Sequence, residues 1–266
     1  MISDDEFWEL FIPCLFAKGI HSLPPNNTVE FGNTTFGSGF GIPWKNKTRY
    51  GKLTSHFFDP LKDKMQFPDG STYREANSEP DLELAAPFGA WWRASNKTYM
   101  SIDANRDTYM NFQWDLQEPL PDKFLNIAKV FLDFGTLEHV KNQYPAWKNA
   151  HDVCSENCIM IHSLPADKEG SHVDHCYHWY TIDFFKELSE KCGYEVCLLD
   201  EVSIRHNPSD QCIWACMEKI NNDEFISEED FNEILEKHAR SEYEDRPGGN
   251  TRHGIDEKYY HAVKDR

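Results

Sequence analysis

The sequence predicts an α/β fold built on a mostly parallel β-sheet with one antiparallel strand near its C-terminal end. Short apolar runs alternate with segments of helical periodicity, a pattern typical of parallel sheets. The apolar run at residues 130–134 lacks polar alternation, as in a strand buried on both faces. The last two strand-like runs are separated by Asn207-Pro208-Ser209-Asp210, which indicates a turn between antiparallel partners.

The N-terminal region supplies a packing helix and the first strand. Apolar residues recur at helical spacing from about residue 4 to residue 18, and Gly19 provides a stop. A β-rich run then begins at Thr28 and reaches Glu30 and Gly32, where small polar residues follow. A strand that ends in an acid and a glycine suits an exit loop that lies against a ligand.

Residues 37–96 interrupt this regularity with closely spaced glycines, scattered prolines and many aromatic residues. Only residues 82–94 have helical character. Long irregular segments inside a domain are usually functional lids or insertions. We therefore expect an insertion that covers a binding site.

Two short strands follow the insertion. Residues 99–105 form the second and end near Asp103, and residues 112–116 form the third and include Asp115. The connection between these two acids is too short for an ordinary crossover helix.

The fourth strand, residues 128–134, organises the chain. It ends at Gly135, after which Glu138 and His139 follow. Ligands of open α/β sheets bind at the carboxyl ends of the strands, so this pair is expected at the mouth of a crevice. The alternative is that the pair only opens the next helix, predicted at 144–154. A fifth strand is predicted at 158–165.

The C-terminal part adds a helix at 182–192, which Thr181 can cap and Gly193 can end. Strands at 194–202 and 211–219 complete the sheet. A further helix starts at Ser227, and the chain from about Ser241 is expected to be loosely ordered. We divide the protein into a main domain, residues 1–220, with its insertion at about 37–96, and a C-terminal helix with a charged tail, residues 221–266.

Composition restricts the partners. The formal net charge of −18 disfavours binding to nucleic acid, which depends on basic residues. The sequence contains no recognisable signal peptide or membrane span, so we expect a cytoplasmic protein. The spacing of its eight cysteines does not match zinc ribbons, and most lie in apolar runs, which favours buried free thiols.

Five ordered motifs between about Val29 and Glu218 resemble the class I S-adenosylmethionine-dependent methyltransferases, in particular their type 11-like group. The most specific is Leu137-Glu138-His139-Val140, which matches the Leu-Glu-His-Val that follows strand four in many of these enzymes. The others are Val29-Glu30-Phe31-Gly32, Ser101-Ile102-Asp103, Asp115-Leu116, and the histidine-aromatic loop at 175–181 with its following helix and Gly193-Tyr194-Glu195-Val196 strand. The resemblance implies a Rossmann-like, mostly parallel seven-stranded sheet with an antiparallel C-terminal strand.

The resemblance also implies that S-adenosylmethionine is the cofactor. Its methionine part would lie at the loop after strand one, and Asp103 would accept both ribose hydroxyls. Asp115 would reach the adenine amine. The cofactor-binding residues implied in this way are Glu30, Gly32, Asn33, Asp103, Asp115, Leu116, Phe134 and Gly135.

For catalysis, His139 and His162 are the candidate general bases, with Glu138 beside them, since an unperturbed imidazole titrates near neutrality. His162 could instead only hydrogen-bond a neighbouring backbone group. The acceptor pocket is assigned to His175, Trp179 and Tyr180, although the two aromatic residues could equally serve packing. The expected acceptor is a hydroxyl or other polar group on a small molecule or glycan, and the sequence does not predict the oligomeric state.

Two alternatives stay open at this point. The second glycine of the family's Gly-x-Gly-x-Gly is replaced by Thr34, which leaves room for a binding protein that no longer methylates. The other alternative is a metal-dependent hydrolase. Its possible ligands are His162, His172, His175 and His178 with Glu138, Asp174 or His139. We predict no metal site, because no His-Glu-x-x-His spacing is present.

Overall fold

A seven-stranded β-sheet forms the centre of the protein in the computed structural model. The structure describes residues 6–19, 27–32, 64, 88–95, 97–104, 111–168, 176–203 and 211–242. The strands of this sheet are β1 (Asn27–Phe31), β2 (Thr98–Asp103), β3 (Asn111–Gln113), β4 (Ala128–Asp133), β5 (Cys154–Pro165), β7 (Tyr194–Ser203) and β8 (Gln211–Lys219). A separate pair consists of β6 (His178–Tyr180) and β9 (Ala239–Ser241).

The strand order is β3-β2-β1-β4-β5-β8-β7. Strands β1 to β5 pair in parallel, and β8 is antiparallel to both of its neighbours. The predicted fold class, a Rossmann-like, mostly parallel seven-stranded sheet with an antiparallel C-terminal strand, is confirmed. The strand order changes direction at β1, because β2 and β3 lie on one side of this strand and β4 and β5 lie on the other.

Five α-helices accompany the sheet in the described part of the chain. They are α1 (Ile12–Ala17), α2 (Phe88–Ala94), α3 (Gln143–Val153), α4 (Ile182–Cys192) and α5 (Glu228–His238). Helices α3, α4 and α5 contribute Trp147, Phe185 and Phe231 to one apolar cluster, together with Val29 and Phe131 of the sheet. Among these residues no helix is long and apolar enough to cross a membrane.

A second apolar cluster joins the N-terminal segment and α2 to the sheet. Phe11 contacts Phe88, Trp92 and Phe134, with ring centroids 5.3 to 6.0 Å apart. The alternation of side chains along β4 divides its residues between the two clusters, since Phe131 belongs to the first and Leu132 to the second. This explains why the predicted strand shows no polar alternation.

The predicted caps of α4 and the predicted start of α5 at Ser227 are confirmed. Thr181 Oγ1 accepts a hydrogen bond from the Phe184 amide at 3.3 Å, and Gly193 ends α4 in the left-handed conformation. Ser227 Oγ accepts from the Asp230 amide at 3.1 Å at the start of α5. These local signals fixed the helix ends because a capping side chain satisfies amides that lack partners within the helix.

Several predicted boundaries were wrong. The N-terminal helix is not uniformly α-helical, because residues Glu6–Phe11 form a wider π-helical turn before α1. Strand β5 starts at Cys154, well before the predicted start at residue 158, because Ala128 of β4 pairs with Cys154. Strand β3 covers only Asn111–Gln113, so Asp115 lies in the loop after it.

The pairing of β6 with β9 was not predicted. His178 pairs with Ser241 and Tyr180 with Ala239, and this pairing ties the end of α5 to the segment before α4. Helix α5 also buries Phe231 and Ile234 in the first apolar cluster. The proposed boundary at residue 220 stays a prediction. Most of the insertion at 37–96 and the turn at 207–210 lie outside the described residues, as does the tail from 243 onward.

Candidate functional site

The carboxyl ends of β1, β2 and β4 lie side by side. Phe31 of β1 pairs with Ile102 on one side and with Asp133 on the other. The Gly32 amide donates to the Ile102 carbonyl at 2.9 Å, and the Trp114 amide donates to the Asp103 carbonyl at 2.9 Å. The structure therefore brings the predicted loops after β1, β2 and β3 together at one edge of the sheet.

Glu30 lies one residue before the end of β1 and is fully buried. Its carboxylate accepts a hydrogen bond from the Tyr99 hydroxyl. Burial, followed by the charge of Glu30, raises the pKa of Tyr99 well above its usual value, so the phenol stays a donor. Glu30 is thus fixed on the side of the sheet that α2 covers, where Trp92 Nε1 also donates to Thr28 Oγ1 at 2.8 Å.

Two predicted glycines allow close contacts between loops. Gly32 has a φ of 79°, and a Cβ at this position would lie 2.1 Å from Thr136 Oγ1. The same hydroxyl donates to the Phe31 carbonyl at 3.0 Å. Gly135 has a φ of 90°, and its Cβ would lie 3.0 Å from Glu138 Oε1. Because Gly32 has no side chain, the loop after β4 contacts β1. Because Gly135 has none, the Glu138 carboxyl can lie close to the backbone of Gly135.

Asp103 is half-buried at the end of β2, and Asp115 is half-buried after β3. Asp115 Oδ1 accepts from the Gln117 amide at 3.0 Å. Its Oδ2 is buried and has no hydrogen-bond partner among the described residues. Since a carboxylate oxygen can only accept, a ligand N–H at this position would complete it. The adjacent Leu116 side chain is buried in the first apolar cluster.

Asp133, the last residue of β4, was missed by the sequence analysis. Its Oδ1 accepts from the amides of Thr136 and Leu137 at 3.0 and 3.4 Å. Its Oδ2 lies 3.2 Å from His162 Nδ1. This carboxylate therefore shapes the turn that delivers Glu138 and His139. An acid that ends a buried apolar strand was the signal available in the sequence.

Glu138 and His139 lie together in the short 3₁₀ turn Leu137–His139. His139 Nε2 lies 3.6 Å from Glu138 Oε1, and the two side chains are 26% and 6% exposed. Burial, and then the nearby charge of Asp133, raises the pKa of Glu138 well above its usual value. This shift favours the protonated form of the Glu138 carboxyl. The imidazole of His139 is the accessible member of the pair.

His162 has no exposed surface. Its ring stacks on Trp147 with centroids 4.9 Å apart, and its Nε2 has no hydrogen-bond partner in the described part of the chain. Phe134 is also buried and stacks on Trp214 at 5.8 Å. The structure does not bring these two predicted site residues to the same surface as His139.

Trp179 and Tyr180 are buried as well. The guanidinium of Arg240 lies 3.9 Å above the Trp179 ring, and the Tyr180 hydroxyl donates to Gln143 Oε1 at 2.5 Å. Both aromatic residues thus pack inside the protein in this structure. Asn33 and His175 lie outside the described residues.

Gln143, at the first position of α3, holds the loop that carries His139. Its Nε2 donates to the carbonyls of Leu137 and Val140 at 2.7 and 2.6 Å. Its Oε1 accepts from Trp147 Nε1 at 2.9 Å and from the Tyr180 hydroxyl. In addition, the Tyr177 amide donates to the Glu138 carbonyl at 2.9 Å.

Asn149, further along α3, holds the loop after β3 through side-chain hydrogen bonds. Its Nδ2 donates to the carbonyls of Leu116 and Glu118, both at 2.9 Å, and its Oδ1 accepts from the Leu120 amide at 3.1 Å. One helix therefore positions both loops. The signal in the sequence was a pair of amide side chains on the buried face of an amphipathic helix, which we did not single out.

The histidines proposed as metal ligands do not form a cluster where they are described. His178 lies 2.9 Å from Ser241 Oγ and 3.2 Å from the Lys141 carbonyl, and His162 faces Asp133. Within the described ranges, one set of three possible ligands converges, namely Glu195, Cys197 and Glu218. It lies on β7 and β8, away from the loops after β1 to β4. His172 and Asp174 lie outside the described residues.

In comparisons with known proteins, the chain is similar to solved structures. No family model matches the sequence, and no curated protein matches it. The 1,6-didemethyltoxoflavin-N1-methyltransferase of Burkholderia thailandensis is similar at 9% identity and a TM-score of 0.44, with 82% of each chain covered. The branched-chain polyamine synthase of Thermus thermophilus, in its C9 variant, is similar at 12% identity and a TM-score of 0.41, covering 81% of this chain and 58% of the other.

The CMeT domain of the citrinin polyketide synthase is similar at 9% identity and a TM-score of 0.38. The match covers 74% of this chain and 47% of the other, so this chain spans about half the length of that protein.

Proposed function

We propose that this protein binds S-adenosylmethionine at the ends of β1 to β4 and transfers its methyl group to a polar group on a small molecule or glycan. The observation that carries the proposal is the convergence of Asp103 and Asp115 at one sheet edge, with Asp115 Oδ2 buried and without a partner among the described residues. The antiparallel β8 agrees with the fold that the sequence resemblance implies.

The residues at this edge fit an adenosine group. Asp103 would accept the ribose hydroxyls, and Asp115 Oδ2 would accept from the adenine amine, which supplies the N–H that this oxygen lacks. Asn149 holds the segment that carries Leu116 and so keeps Asp115 in place. The part of the loop after Gly32 that would contact the methionine group lies outside the described residues.

When bound, the cofactor would supply a methyl group already activated by a sulfonium. The protein then has to align the acceptor and remove its proton. We assign proton removal to His139, since its ring is partly exposed and the loop that carries it is fixed by Gln143 and Asp133. Glu138, buried beside the ring with its Oε1 3.6 Å from His139 Nε2, would orient the imidazole.

The other predicted residues take supporting roles in this proposal. His162 supports the turn through Asp133, and Tyr180 supports it through Gln143. Glu30 fixes the end of β1 through Tyr99. In this proposal these buried residues affect the site without contacting a substrate.

Calorimetric titration with S-adenosylmethionine and with its demethylated product tests the binding step. We expect Asp103→Ala to weaken binding by about 1 to 3 kcal/mol, the cost typical of removing a partner of a buried charged hydrogen bond. Asp122→Ala, an exposed acid in the turn before β4, is the matched control and should bind as the unaltered protein does. Absence of binding by the unaltered protein would refute the proposal.

Methyl transfer is tested separately, with labelled cofactor and fractionated cell extract. Transfer that is lost in His139→Ala but not in Asp122→Ala would support the assigned chemistry. Binding of the cofactor without transfer to any fraction would favour the alternative of a binding protein, which the replaced second glycine also suggests.

A further inference from the structure

Three cysteines from distant parts of the sequence meet at the far side of the sheet from α3. Cys14 comes from α1, Cys197 from β7 and Cys216 from β8. Cys14 and Cys216 belong to the second apolar cluster, and Cys197 packs against that cluster. Cys14 and Cys216 are buried, whereas Cys197 is partly exposed.

A β-bulge places Cys197 in this group. Val196 pairs with Met217, but Leu198 already pairs with Cys216, so Cys197 is the extra residue. Cys197 and Leu198, although consecutive, both pack against the apolar cluster that contains Cys216. In a regular strand they would face opposite sides. The bulge thus turns the Cys197 side chain toward its cross-strand neighbour.

Lys18 brings a positive charge to the same place. Its Nζ lies 2.7 Å from Glu218 Oε2 and 3.5 Å from Glu195 Oε1. The sulfur of Cys197 lies within 4.8 Å of a carboxylate oxygen of each of these acids. Hydrogen bonding from Cys216, and then the ammonium of Lys18, lowers the pKa of Cys197 to about 7. Burial raises the pKa of Cys192 to about 11, by contrast.

We propose that Cys197 is a peroxide-reactive thiol and that Cys216 resolves its oxidised form as a disulfide. Neighbouring strands lie about 4.7 to 4.9 Å apart, and a disulfide spans Cα separations of about 4.4 to 6.8 Å, so thiols of β7 and β8 that face each other can be joined. The arrangement combines an accessible sulfur, a cation beside it and a second thiol behind it. Nothing in the methyl-transfer site requires such a group.

The chemistry balances with hydrogen peroxide as the oxidant. The Cys197 thiolate attacks one peroxide oxygen, the O–O bond breaks, and the leaving hydroxide takes up a proton to become water, which leaves a sulfenic acid. The Cys216 sulfur then attacks the sulfenic sulfur, its proton passes to the departing hydroxyl, and a second water is released. Two thiols are oxidised to one disulfide while one peroxide is reduced to two waters.

The test uses the full chain, reduced and then exposed to hydrogen peroxide, followed by alkylation and peptide mass spectrometry. We expect a cross-linked peptide pair containing Cys197 and Cys216. In Cys216→Ala the sulfenic acid should instead persist and be trapped by dimedone at Cys197. Brief treatment of the reduced protein with iodoacetamide should label Cys197 first, and Lys18→Met should slow this labelling several-fold. Cys192→Ser is the matched control and should change none of these results.

A disulfide between Cys14 and Cys216, or oxidation that spares Cys197, would overturn the proposal. So would equal labelling rates in the unaltered protein and in Lys18→Met. The folding of Cys216→Ala and of Lys18→Met should be checked by circular dichroism. Cys197→Ala provides a second test, because its partly exposed position tolerates the change. In that variant, Cys216 should resist peroxide, and rapid oxidation of Cys216 would contradict its assigned role.

Discussion

Replacement of Gln143 by methionine tests whether α3 positions the loop with His139. Methionine has a similar shape, so the change removes hydrogen bonds while leaving the packing largely intact. Four groups lose their Gln143 partner, namely the carbonyls of Leu137 and Val140, the Trp147 indole N–H and the Tyr180 hydroxyl. The Leu137 carbonyl keeps the Val140 amide as a donor, whereas each of the other three groups left unpaired costs about 1 to 3 kcal/mol.

Partial relaxation of the loop lowers that total, and we expect a loss of about 4 kcal/mol in the free energy of unfolding. Urea denaturation followed by tryptophan fluorescence measures this loss. Lys148→Gln, on the same helix, breaks only the partly exposed pair with Asp152 and should cost less than about 1 kcal/mol. A Gln143→Met protein as stable as Lys148→Gln would refute the idea that Gln143 anchors the loop. Turnover should fall in Gln143→Met even where the protein is folded.

Three further predictions concern the site and its surroundings. Asp115→Ala should weaken cofactor binding about tenfold in calorimetry because it removes the unpaired acceptor, and unchanged affinity would exclude it from the site. His139→Ala should keep cofactor affinity but lower turnover by ~10²–10⁴-fold in a methyl-transfer assay, whereas an equal loss of affinity would indicate packing alone. Burial lowers the pKa of His178 from 6.5 to about 4, so the unfolded chain binds more protons in that range and stability should decrease as the pH falls from 6.5 to 4. Between pH 6.5 and 4, the free energy of unfolding measured by urea denaturation should decrease by about 3 kcal/mol less in His178→Gln than in the unaltered protein. Equal pH dependence in both proteins would contradict the assignment.

The sheet and its strand ends could be predicted from the sequence because they depend on local patterns. Apolar runs that stop at a glycine gave β1 and β4, and the caps Thr181 and Ser227 gave the starts of two helices. Asp103 and Asp115 could be placed near strand ends in the same way, since Asp103 ends β2 and Asp115 lies in the loop after β3. Boundaries set by pairing with a distant strand, as at the start of β5, could not be predicted in this way.

The sequence by itself determined the order of strands and helices and the polar residues that follow each strand. Only the tertiary structure decided which of those residues are accessible: His139 is partly exposed, whereas His162, Phe134 and Tyr180 are buried. Tertiary contacts also gave Gln143 and Asn149 their roles, and a bulge in β7 turned Cys197 toward Cys216. The reason is physical: the direction and burial of a side chain depend on which segments pack beside it, and those segments are far away in the sequence.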